Sequence, residues 1–187
     1  MKKIFGLIVV VGIGYGIWYL SNKTASTSIP LSNTPIVDST SSTTHPDASN
    51  GTFVFEDASV KLKNGSFSQT VASGSASSEE TTLTSTVGYG DLNKDNKEDA
   101  VVALMQNSGG TGTFIYISGY VSSPTGYKGT NAVFVGDRIQ PKSITIENGE
   151  VTFTYLDRKP DEPMDAEPTV SAYKSFVYSK GVLVEKN

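Results

Sequence analysis

The sequence has no cysteine and a single histidine among its 187 residues. Without cysteine there are no disulfide staples, thiolate nucleophiles, iron–sulfur clusters or cysteine-ligated zinc, and no lipobox cysteine for lipid attachment. The one histidine, His45, lies in a Ser/Thr-rich stretch ahead of the β-rich part of the chain. A Ser-His-Asp triad or a histidine metal cluster therefore cannot be assembled from this chain alone. Basic residues are also few: 15 Lys and Arg stand against 19 Asp and Glu, a formal net charge of −4. That balance gives no surplus to hold a phosphate backbone, and no nucleic acid partner is expected. From Thr52 onward no segment sustains a 3.6-residue apolar period, and the short successive strands linked by turns argue against parallel βαβ units. Stability must then come from core packing or from a hard cation.

What is present divides the chain into three parts. Lys2 and Lys3 precede IFGLIVVVGIGYGIWYL, an uncharged run from Ile4 to Leu20. As a helix it would span roughly 25 Å, near the lower limit for crossing a bilayer. No A-x-A-like cleavage site follows, and Trp18 and Tyr19 lie at its far end, where amphipathic aromatics favour the interface. Residues 1–20 are thus expected to form an uncleaved signal anchor, a single transmembrane helix in a cell membrane, with a removed signal peptide as the alternative. Two lysines before it against Lys23 after it place the N-terminus in the cytoplasm and the remainder outside. Gly12 and Gly16 form a small-xxx-small pair that could bring two such helices together. From Ser21 to Asn50, 14 of 30 residues are Ser or Thr, with Pro30, Pro35 and Pro46 among them. This composition predicts a disordered linker that holds a domain away from the headgroups.

Residues 51–187 read as an extracytoplasmic β domain. Short β-branched and aromatic runs predict strands near 52–56, 59–63, 81–88, 99–105, 113–121, 131–135, 142–147, 150–156, 170–178 and 182–185. Asn148-Gly149 and Lys180-Gly181 are signals for tight hairpins, and Asn64-Gly65 is a third with weaker flanks. The stretch 70–80 is small and polar and is expected to be a mobile loop. Successive strands joined by turns predict an all-β fold, an antiparallel meander closed as a curved sheet, sandwich or half-barrel.

One constellation carries metal chemistry. DLNKDNKED, residues 91–99, places side-chain oxygens at Asp91, Asn93, Asp95 and Asp99, positions 1, 3, 5 and 9 of a calcium-loop pattern. A hard cation wants six to eight oxygens, and a tightly curled loop aims alternate side chains inward while Lys97, at position 7, offers its backbone carbonyl. Position 6 needs a residue that tolerates the left-handed conformation; it is Asn96 in place of the usual glycine. An EF-hand would carry glutamate at position 12, and Val102 stands there. The loop can therefore be a structural Ca²⁺ site between two strands, with Glu79, Glu80 or Asp57 as a further ligand, or an unliganded polar turn.

The stretch from Gly90 to Ile139 carries three motifs in series: Gly90–Asp99, Gly109–Phe114 and Gly136–Ile139. In this order they resemble an uncharacterised family of small bacterial exported proteins with a G-D-L-N-x-D-G-x-E-D loop of the FG-GAP type, a G-G-x-G-T-F turn and a G-D-R-I element. The resemblance implies export and a compact domain and brings no activity. Asn96 is the main departure.

Elsewhere the residues are expected to be structural. Gly109-Gly110-Thr111-Gly112 lacks the Lys-Ser/Thr of a phosphate loop and leads into a strand, so it reads as a hairpin turn. Asp137 and Arg138 are expected to pair across the sheet, Arg138 with Asp157. The acidic stretch 157–168 is either a solvated connection or a recognition surface. Tyr116, Tyr120, Tyr127, Tyr155, Tyr173 and Tyr178 would suggest carbohydrate stacking only if one exposed face gathered them. Three functions remain open: a calcium-stabilised binding or structural module tethered to the membrane; a glycan or cell-wall hydrolase using two carboxylates among Asp157, Asp161, Glu162 and Asp165; and an accessory subunit of an envelope complex. The partners would be a glycan or an envelope protein.

Overall fold

Twelve strands and one short 3-10 turn form the described part of the computed structural model, which comprises residues 44–56, 58–71, 74 and 77–186. The expected membrane helix at 4–20 lies outside the described residues, as does most of the Ser/Thr-rich stretch. Among the described residues no helix is long and apolar enough to cross a membrane. In chain order the strands are β1 (Thr52–Phe55), β2 (Ala58–Lys61), β3 (Ser66–Thr70), β4 (Ser78–Gly90), β5 (Asp99–Asn107) and β6 (Phe114–Ser123). They continue as β7 (Gly126–Gly129), β8 (Val133–Asp137), β9 (Gln140–Glu147), β10 (Glu150–Asp157), β11 (Val170–Ser179) and β12 (Val182–Lys186). The domain is all-β, as the sequence predicts, and the strands pair antiparallel.

The strands form two large antiparallel sheets and a separate hairpin. One sheet runs β3-β4-β5-β6-β7, with β8 pairing the other half of β6; the second runs β9-β10-β11-β12. The second is a simple meander; in the first the chain leaves β7 and returns to pair with β6, so β7 and β8 both lie against that strand. The turns have the required chemistry: Asn64-Gly65, Asn148-Gly149 and Lys180-Gly181 all hold positive φ at both central residues. That conformation twists in the same sense as the flanking strands.

Strand β5 explains the layering. Its run Ala100–Leu104 is wholly buried, and successive residues point to opposite faces. Val101 and Ala103 join a core with Ile115, Ile117, Ile144, Val151, Phe153 and Phe176, between the two large sheets. Ala100, Val102 and Leu104 join a second core with Phe53, Phe55, Val60 and Leu62, beneath the β1–β2 hairpin. A strand buried on both faces has no polar alternate positions, and AVVAL has none. Where β9 crosses β4, a Cβ on Gly88 would sit 2.6 Å from the Ile144 carbonyl oxygen, so the two sheets meet there because that residue has no side chain.

The boundaries differ from expectation in two places. The linker predicted to reach residue 50 ends earlier: Pro46 and Ala48 are buried, Ala48 in the second core. Asp47 caps the 3-10 turn Ala48–Asn50 by accepting the Ser49 N–H at 2.9 Å. The loop predicted over 70–80 is shorter, since Thr70 and Ser78–Glu80 lie in paired strands. Residues 72, 73, 75 and 76 lie outside the described residues.

Candidate functional site

The loop between β4 and β5 is built around its own acidic side chains. Asp91 Oδ1 accepts the Asp95 N–H at 3.0 Å, and Oδ2 accepts the Asn96 N–H at 2.8 Å. Asn93 Oδ1 accepts the same Asp95 N–H at 2.9 Å. Asp95 Oδ1 accepts from the Lys97 N–H at 2.9 Å, while its Oδ2 accepts the Ser122 hydroxyl at 2.6 Å. The curl needs left-handed backbone at Lys94 (φ 64°) and Asn96 (φ 63°), so Asn96 adopts the conformation its position in the pattern requires. The Ser122 hydroxyl, helped by the Lys97 N–H, holds the Asp95 carboxyl below the usual carboxylate range.

Asp99 is placed differently from its three companions. It is 0% exposed. Its Oδ2 accepts the Leu92 N–H at 2.9 Å and the Asn93 N–H at 3.2 Å, and its Oδ1 accepts the Ser122 N–H at 2.7 Å. Leu92 itself is buried in the core between the sheets. Asp99 thus faces inward and pins the base of the loop to β6, while Asp91 and Asn93 are half-buried and Asp95 is exposed and reaches the Ser122 hydroxyl of the same strand. Among the described residues no three His, Asp or Glu side chains are gathered to hold a metal ion.

Two of the residues expected to complete the site, Glu79 and Glu80, are elsewhere. Glu80 pairs with Asn107 at the opposite end of β4 from Gly90, roughly 30 Å away along an extended strand. Neighbouring Glu79 accepts from the side-chain amides of Gln69 and Gln106 at 2.8 and 2.7 Å. Neither can reach the loop, and Asp57 lies outside the described residues. The carboxylate at the loop's rim is instead Glu98, whose Oε2 meets His45 Nδ1 at 2.7 Å. The His45 ring stacks on Tyr89 at 4.1 Å. Sequence reading missed this contact because Ser/Thr-rich surroundings hide a residue that packs on a distant loop.

A second corner is laced by arginines. Arg138 donates from Nε and Nη2 to the Thr111 carbonyl at 2.9 and 2.6 Å, and its own N–H reaches the Thr113 carbonyl. Asp137 Oδ1 accepts the Thr113 N–H at 2.8 Å. The G-G-x-G-T-F and G-D-R-I segments therefore dock on each other. Arg158 completes the corner, donating to the carbonyls of Ala166, Arg138 and Asp137 at 2.8, 2.8 and 3.3 Å. The expected Arg138–Asp157 pair is not formed, because Arg138 turns to Thr111, and Asp157 Oδ1 accepts the Arg158 N–H instead.

No family model, no curated protein and no solved structure matches this chain. What its groups can do chemically is therefore set by their geometry. In the stretch 157–168 the Lys159 N–H donates to Glu162 at 2.8 Å and holds its carboxyl below the ordinary value, the wrong direction for a general acid. The tyrosines do not share one face. Tyr155 is buried between the sheets, Tyr173 is 71% exposed, and Tyr116 and Tyr120 lie against the second core.

Proposed function

We propose that this chain is a binding module held at the outer face of a membrane by residues 4–20, with loop 91–99 steadied by a calcium ion. The observation that carries the calcium reading is the convergence of Asp91 Oδ1 and Asn93 Oδ1 on one amide, that of Asp95. Each of these oxygens keeps a lone pair beyond the one its N–H occupies. Asp91, Asn93, Asp95 and the Lys97 carbonyl would hold the ion, and water would fill the rest of its coordination. The ion supplies positive charge that offsets the repulsion between two neighbouring carboxylates. Asp99 does the complementary work from inside, fixing Leu92, Asn93 and Ser122 so that the Asp91, Asn93 and Asp95 oxygens stay in place. Against the hydrolase reading, the Lys159 N–H holds the Glu162 carboxyl below the ordinary value, the wrong direction for a general acid.

The test is thermal melting of the full-length chain with millimolar calcium, with magnesium and with chelator, beside Asp95→Ala. Ligand binding to the folded state stabilises by about 2.7 kcal/mol at a hundredfold excess over Kd. A calcium-specific rise in Tm of several degrees, lost in Asp95→Ala, is the expected outcome. Equal melting in calcium and chelator reduces the loop to a self-bonded turn.

A further inference from the structure

The β1–β2 hairpin covers only part of the outer face of the larger sheet. Phe55 meets Tyr116 edge-on at 5.0 Å, and there the cover ends. Beyond it lies an open trough of about 690 Å³, within the usual size range of ligand pockets. Its floor holds two strips. One is aromatic: Phe114, Tyr116 and Phe134 stand on neighbouring strands β6 and β8, with Phe134 5.5 Å from Tyr116 and 6.2 Å from Phe114. Phe134 is 49% exposed although it belongs to a paired strand. The other is polar: Gln106 and Ser108 on and after β5, with Glu56 at the rim. Gln106 is fixed in place by the carboxylate of Glu79, which Gln69 holds from the far side.

We propose that this trough binds a neutral oligosaccharide, whose C–H faces lie on Phe134 and Phe114 while its hydroxyls bond the Gln106, Ser108 and Glu56 side of the floor. The lining selects among ligand classes. It contains no lysine or arginine, so an anionic chain would meet Glu56 unopposed. The three rings meet edge to face and fill the space between them, so they do not form a cage around an ammonium group. A ligand that alternates apolar faces with hydroxyl edges matches rings beside side-chain donors and acceptors. The Tyr116 phenol, protonated at neutral pH like any tyrosine, is a further donor.

This inference rests on the binding-module reading and names its ligand class. It is tested by calorimetric titration of the full-length chain with neutral hexasaccharides of glucose, xylose, mannose and N-acetylglucosamine, with oligogalacturonate and with choline, each in calcium and in chelator. Saturable binding of a neutral hexasaccharide is expected, weakened at least tenfold by Phe134→Ala, kept by Phe134→Tyr and unaffected by Tyr173→Ala on the other sheet. Ring-proton shifts of Phe114 and Tyr116 on titrating the unaltered protein place the ligand even if a variant folds poorly. The proposal is overturned by no neutral-sugar binding at about 10 mM, by binding indifferent to Phe134→Ala, or by preference for choline or oligogalacturonate. A calcium-dependent Tm without sugar binding removes only this inference; sugar binding without a calcium shift removes only the ion.

Discussion

Two corners of the domain are laced by side chains of opposite charge, and they hold the backbone in opposite ways. At loop 91–99 carboxylates accept from backbone N–H groups. At the junction of the 108–113 turn with 136–139, guanidinium groups donate to backbone carbonyls. Either device satisfies polar groups that a turn leaves without ladder partners. The consequences differ, because a carboxylate can share its oxygens with a cation or lose its charge to a proton, whereas a guanidinium stays charged at any working pH. The acidic corner is therefore responsive to ions and acid, and the basic corner is fixed.

The largest break in this comparison is expected from Asp99→Ala. It strands three N–H groups beside a fully buried position and should cost about 3–4 kcal/mol in urea denaturation. Asp99→Asn recovers part of the loss, since its amide oxygen still accepts. Next comes Arg158→Ala, expected to cost about 2 kcal/mol by freeing three carbonyls of a half-buried corner. Arg158→Lys should recover little, because an ammonium cannot reach the same forked set of acceptors. The smallest effect sharpens the contrast in pH. The Asp95 carboxyl titrates below its ordinary value of 3.8 in the folded state, so its contribution is complete above that value and is lost as pH falls through the lower folded one. Melting curves between pH 7 and pH 2 should show Ser122→Ala losing this contribution at higher pH than the unaltered chain, since the Ser122 hydroxyl is the main cause of the shift. Arg158→Ala should leave the acid limb of the profile in place.

Features with a local signature could be read in advance. Asn-Gly and Lys-Gly pairs marked hairpins because only certain residues tolerate two positive φ angles in a row, and Asn96 could be singled out for the same reason. The apolar run in β5 was recognisable as a strand. Features that depend on distant partners could not be read. Strand β3 is almost wholly exposed and has no apolar alternation, and β7 is four residues long with two glycines. The inward turn of Asp99 depends on Ser122, 23 residues away, and nothing in DLNKDNKED separates it from Asp91. Arg158 escaped notice because its partners are backbone carbonyls, which every residue has. The trough was hidden for a related reason: Phe114, Tyr116 and Phe134 become neighbours only when β8 pairs with β6.

The double burial of β5 has a further consequence, in hydrogen exchange. The strand lies between β4 and β6 within its sheet and between two apolar layers across it. No local fluctuation can bare its amides without opening both cores together. The amides of Val101–Leu104 should exchange only through global unfolding, so their protection measures the stability of the whole domain. The same strand joins the layers thermodynamically, and they should melt in one transition.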